Sequence, residues 1–110
     1  MNRAEHQPET VSVSIYGGIY YKVWRVPDAD TLIPQHSHDY DHLTAVIQGM
    51  VRVWRDDEHI GDFMAPSTVR IPAGCKHRFL TLTPACVFSC IHAEGTEDAV
   101  REEHHLVAED

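Results

Sequence analysis

Long apolar runs are missing from this sequence. No stretch approaches the roughly 18–20 apolar residues needed to span a bilayer. Met1 to Thr10 is polar and lacks the apolar core of a secretory signal, so the compartment expected is the cytoplasm. Basic residues are scarce as well. Nine Lys plus Arg stand against seventeen Asp plus Glu, a formal charge of −8. That balance argues against nucleic acid, whose binding draws most of its affinity from Lys and Arg on phosphates, and against an anionic membrane surface. Cysteine is sparse: Cys75, Cys86 and Cys90 cannot all pair, and their gaps match no Cys-x-x-Cys zinc or redox motif. They read as reduced, buried small residues. Repeats and low-complexity tracts are lacking too, and 110 residues with no break in composition make one domain. A domain of that size buries roughly 60–70% of its unfolded surface, so a partner chain would add to its core.

What is present is a succession of short runs rich in β-branched and aromatic residues. Val11–Tyr16, Ile19–Val26, Leu43–Gln48, Val51–Arg55, Thr68–Ile71, His77–Leu82 and Val87–His92 each have strand length and strand composition. Gly17-Gly18, Pro27-Asp28, Asp56-Asp57, Pro72-Ala73-Gly74 and Pro84 supply turns. Gln48-Gly49-Met50 reads as a tight hairpin. The class predicted is all-β, a sandwich or barrel. The segment 94–110 differs, with seven acids, one arginine and few apolar residues; a short helix and a mobile tail fit it equally.

Histidine is abundant, with nine in the chain, and one segment concentrates it: Pro34-Gln35-His36-Ser37-His38-Asp39-Tyr40-Asp41-His42. On a strand His36 and His38 share a face, with Cα atoms roughly 6–7 Å apart, a distance over which two imidazoles can converge on one ion. His42 would lie about 20 Å from His36 on a straight strand, far beyond metal bonds of about 2 Å. A shared site therefore requires a bend at Asp39-Tyr40-Asp41, where aspartates favour turns. Surface loop histidines are the plainer reading for any one of these residues. Three at this spacing, followed by His77 after a Pro-Ala-Gly turn, point to a metal.

His36-x-His38-x3-His42-x6-Gly49 resembles the first cupin motif, with His42 where most cupins carry glutamate. Pro72-x-Gly74-x2-His77 resembles the second. The order and spacing resemble a small single-domain cupin over about Tyr20 to His92. The resemblance implies a double-stranded β-helix, a jelly-roll barrel spanning 11–93 after a flexible N-terminus over 1–10. It also implies one divalent metal held by His36, His38, His42 and His77. Asp30 and Pro66 stand where cupins often have glycine, and Thr81 where they have asparagine. Four neutral imidazoles would leave the full +2 charge on the ion and attract an anionic or chelating small molecule. Nitrogen-only coordination suits Fe, Mn, Co, Ni, Cu or Zn.

Period two from His42 places Thr44, Val46 and Gln48 on the pocket face, and from His77 it places Phe79 and Thr81 there. The last strand offers Phe88, Cys90 and His92 on one face, with His92 a candidate general base. Tyr40, in the bend, is a candidate hydrogen-bond or proton donor. Tyr20, Tyr21, Trp24 and Trp54 read as core or dimer contacts. Arg52, Arg55, Arg70 and Arg78 read as mostly solvent-facing. The function expected is a metal-dependent small-molecule enzyme, with oxygenase-type chemistry first. The alternatives are an isomerase or lyase acting on a sugar-acid-like substrate and a non-catalytic metal or metabolite binder. A homodimer is expected, with the edge strand Val11–Tyr16 as one contact.

Overall fold

The computed structural model describes residues 4–5 and 9–93, with side chains described over 9–33 and 37–93. Ten strands follow in order: β1 (Ala4–Glu5), β2 (Glu9–Tyr16), β3 (Ile19–Val26), β4 (Thr31–His36), β5 (His42–Gln48), β6 (Met50–Arg55), β7 (Glu58–Met64), β8 (Ser67–Ile71), β9 (His77–Thr81) and β10 (Cys86–Ala93). No helix occurs among the described residues. Two five-stranded sheets result, in the orders β1-β4-β9-β6-β7 and β2-β3-β10-β5-β8, and every pairing but the parallel β1–β4 is antiparallel.

The period-two pattern decides what goes inside. Alternate residues Tyr20, Lys22, Trp24 and Val26 of β3 lie directly opposite His92, Cys90, Phe88 and Cys86 of β10, and all eight are buried or partly buried. The facing sheet contributes Ile33, Val51, Val53 and Phe79. Phe79 and Phe88 meet across the gap with ring centroids 6.0 Å apart. All three cysteines are free and buried, as the sequence suggested.

The seven expected strands are present, and three features differ from expectation. Gln48-Gly49-Met50 is not a hairpin, because β5 and β6 belong to different sheets and do not pair. Gly49 instead carries the chain round a corner at φ +90°, pressed against Cys86 and Thr83. The second difference is β7, which no strand-rich run announced: Glu58–Met64 contains Gly61 and Asp62 and stays largely exposed at a sheet edge. Strand structure also reaches into the segment read as a flexible N-terminus, at Ala4–Glu5 and from Glu9. The acidic segment 94–110 lies outside the described residues.

Asp30 adopts φ +57°, the left-handed conformation that glycine takes without penalty, and its N–H donates to Thr81 O at 2.7 Å. Thr81 accepts from Thr31 N at 2.9 Å and donates to Asp28 O at 2.8 Å. One hydroxyl thereby fastens the turn before β4 to the end of β9.

Candidate metal centre

The strand β4 ends at His36, and the chain bends at Asp39–Tyr40 before β5 begins at His42. His38 therefore lies beyond the strand rather than one pleat along it. Two hydrogen bonds hold this bend against the Pro72–Gly74 turn. Gly74 N donates to His38 O at 2.7 Å, and Ala73 N donates to Asp41 Oδ1 at 2.7 Å. The clamp brings the first histidine segment beside the start of β9, where His77 is 1% exposed.

Three of the four expected ligands are gathered there. Ring centroids are 5.3 Å apart for His38–His42, 5.7 Å for His38–His77 and 5.2 Å for His42–His77. Two imidazoles bonded to one ion at 2.0–2.1 Å and spread at a tetrahedral angle have centroids roughly 5–5.5 Å apart, so the spacing suits a common ion. His77 Nδ1 lies 3.2 Å from Cys75 O, which only accepts. Nδ1 therefore donates to it, which in the neutral ring leaves the lone pair on Nε2, the usual arrangement behind a ligating imidazole. The backbone of His36 pairs with that of His77; its side chain lies outside the described residues. Among the described residues no group of three or more His, Cys, Asp or Glu is closed tightly enough to hold an ion as it stands. The three rings form an open trio.

A ladder of rings leads away from the trio. Tyr40 stacks on His38 at 4.9 Å and 18°, His92 lies 4.3 Å from Tyr40, and Tyr20 stacks on His92 at 4.4 Å and 16°. His92 is 6% exposed. Its Nδ1 donates to Ala93 O at 3.1 Å, and among the described residues no partner reaches its Nε2. Burial lowers the pKa of His92, so the ring is a neutral acceptor held in a dry setting.

The other expected pocket residues divide. Thr44, Val46, Phe79, Thr81, Phe88 and Cys90 are buried on the interior faces. Burial pushes the Cys90 thiol up to about 12, against the smaller opposing pull of Lys22, so it stays neutral. Gln48 is a correction: it is exposed and its side-chain nitrogen donates to Ala85 O at 2.7 Å. The ladder between β5 and β10 slips at Val87/Phe88, and the alternation begun at His42 ends there. The arginines face outward as expected. Arg52 donates to Asp62 and holds that carboxyl down at about 2, Arg78 lies over Trp54, and Arg70 borders an outer groove of about 290 Å³ beside Leu43 and Ile91.

One interior residue escaped the sequence reading. Lys22 is 3% exposed on the inner face of β3, its ammonium 5.0 Å from the Trp24 ring. The alternation Tyr20-Lys22-Trp24-Val26 carried that signal, but lysine is ordinarily assigned to solvent.

The chain is similar in structure to KdgF from Halomonas sp., with a TM-score of 0.69, 16% identity and coverage of 84% of this chain and 90% of that one. It is similar also to a cupin-2 domain protein from Shewanella frigidimarina (0.62, 20%, covering 86% and 85%). An RmlC-like cupin from Methanocaldococcus jannaschii, described as a double-stranded β-helix, aligns at 0.65 and 12% identity over 88% and 84%. The fold is that of the cupins. No family sequence model matches the chain, and no curated protein sequence does. In this cupin fold the histidine trio stands at one end of the interior between the sheets, with β5 and β9 each carrying one ring and the bend carrying the third.

Proposed function

We propose that this cupin holds one divalent transition-metal ion with His36, His38, His42 and His77 and acts on a small anionic or chelating oxygenated molecule. The observation that carries the reading is the mutual 5.2–5.7 Å spacing of three histidine rings at a turn clamped by backbone hydrogen bonds. Bound there, the ion supplies Lewis acidity and, if it is iron or manganese, oxygen-directed redox chemistry. The protein's own groups do the rest. His77 is oriented by Cys75 O, Tyr40 is braced between His38 and His92, and Phe79, Phe88 and Val46 exclude water from the interior.

Oxygenase-type chemistry is the first reading. Isomerase or lyase chemistry is the second, and His92 favours it: a neutral imidazole with an open Nε2 beside a tyrosine is equipped to accept a proton from a hydroxyl. Elemental analysis of protein prepared without added metal tests the shared premise. About one transition-metal ion per chain is expected, falling in His36→Ala and His77→Ala; unchanged content in both variants sinks the site. Oxygen uptake with diketones, phenols or sugar acids then selects the first reading. Turnover of a sugar acid without oxygen selects the second, and bound zinc or nickel without turnover leaves a binding role.

A further inference from the structure

The four expected ligands are not held alike. His42 and His77 open the strands β5 and β9, and their backbones pair with those of Ile71 and Arg55. His36 closes β4 and pairs with His77. Of the four, His38 alone lies outside any strand, on the bend. Its carbonyl accepts from Gly74 N, which ties down the backbone and leaves the ring to its own torsions. The outer torsion of a histidine side chain has broad preferences, so the rotamer does not choose the ring plane. A metal bond does demand one, because the nitrogen lone pair lies in that plane and must aim at the ion. For His77 the hydrogen bond from Nδ1 to Cys75 O sets the plane. His38 needs an equivalent.

The ring ladder supplies it. Tyr40 lies against His38 with centroids 4.9 Å apart and planes within 18°, so turning the imidazole about its outer torsion drives its edge into the phenol ring. Tyr40 is itself on the bend, yet it is buried and its ring sits 4.3 Å from that of His92. His92 belongs to β10 and stacks at 4.4 Å and 16° on Tyr20, its direct partner across the β3–β10 ladder. That ladder runs without a break from Cys86 opposite Val26 to Ala93 opposite Ile19. The far end of the stack is therefore fixed by two paired strands, and its near end rests on the ligand that no strand holds.

We infer that Tyr40, His92 and Tyr20 are positioning residues, a stack of rings that sets the plane of His38 by anchoring it to β3 and β10. The inference rests on the metal reading above for the role of His38 as a ligand. The stack works through ring faces, which separates it from the proton-donor role considered for the Tyr40 hydroxyl. Tyr20 acts at three contacts' remove from His38.

Cobalt(II) alone is the probe, titrated calorimetrically into metal-free protein and read by its visible absorption bands. Tyr40→Leu removes the ring and is expected to weaken cobalt binding by about ten- to a hundredfold, the usual cost of losing the group behind a ligand, and to alter the bands. Tyr40→Phe and His92→Phe each keep a ring and are expected to bind as the wild type does. Relaxation order parameters of the His38 and His77 ring carbons in metal-free protein give a measurement independent of cobalt. In Tyr40→Leu the His38 ring should lose order and the His77 ring should not. Equal affinity in Tyr40→Leu and wild type overturns the inference. So does a loss in Tyr40→Phe as large as in Tyr40→Leu, which assigns the effect to the hydroxyl. If Tyr40→Leu does not fold, the two Phe variants decide: retained affinity supports the stack and lost affinity overturns it. A wild-type protein that takes up no cobalt sinks the metal reading instead, and the order of the His38 ring in Tyr40→Leu then decides the stack by itself.

Discussion

Replacing Gly49 by alanine tests the corner between the sheets at one atom. A Cβ at this position would meet Cys86 Sγ at 2.7 Å, Thr83 Oγ1 at 2.8 Å and the Cys86 Cα at 3.2 Å. Neither side chain is free to retreat. Thr83 Oγ1 accepts from Met50 N at 2.9 Å, and the Cys86 thiol faces Thr83 O and Met50 O at 3.3 and 3.5 Å in a fully buried position. The backbone adds a second cost, because φ is +90° and an alanine in left-handed space loses roughly 1–2 kcal/mol. Overpacking of a filled core costs typically ~1–3 kcal/mol. The two together give about 2–5 kcal/mol. For a domain of this size that lowers the melting temperature by about 10–25 °C. Thermal unfolding followed by circular dichroism and by tryptophan fluorescence reads the shift. Adding Cys86→Ala to Gly49→Ala removes the nearest clash and leaves the backbone cost, so the double variant should recover about 1 kcal/mol beyond additivity. A loss under ~1 kcal/mol for Gly49→Ala, or strict additivity in the cycle, would refute the steric reasoning.

Asp41→Ala removes the acceptor of Ala73 N and loosens the clamp between the two histidine segments. A stability loss of about 1 kcal/mol, the worth of one exposed hydrogen bond, is expected with a weaker affinity for added zinc in calorimetric titration; an affinity equal to wild type would count against the clamp. His92 governs a pH dependence. Its folded pKa lies below the ordinary 6.5, so both states are neutral above that value and full stability is present there. As the pH falls through 6.5 the unfolded chain takes up a proton that the folded ring resists, and stability declines until the folded ring titrates as well. Urea midpoints measured between pH 8 and pH 5 should fall less steeply in His92→Gln, and parallel slopes in variant and wild type would contradict the assignment.

Much of this architecture is legible in the sequence because the alternation is strong where one face is buried. The inward sets on β3, β5, β9 and β10 follow from period two, and the bend at Asp39–Tyr40 follows from the reach of His42. What escapes is decided at long range. Gln48-Gly49-Met50 has the local chemistry of a hairpin, and only the sheet to which each flanking strand pairs makes it a corner. Gln48 leaves the interior because the ladder slips between Val87 and Phe88, which no local pattern records. The strand β7 lacks a clean apolar alternation because only Ile60 and Phe63 of it pack against the core. Lys22 was hidden by its own chemistry. Asp30 shows the converse, since a residue with a short polar side chain tolerates φ +57° where the cupin pattern has glycine.

The order of strands within the sheets also sets when the histidines can meet. Each crossing between sheets separates strands adjacent in the chain and joins distant ones, so the backbone of His36 pairs with that of His77 and Thr31 bonds Thr81. Closing such wide loops costs entropy before any contact repays it, which slows folding. A growing chain has the bend with His38 and His42 long before β9 is made, and holds the donors singly until both sheets have wrapped. The trio is thus a late product of folding. Under the proposed metal reading, an ion that needs all the rings together would be captured only by a finished barrel, and its uptake would then signal that folding is complete.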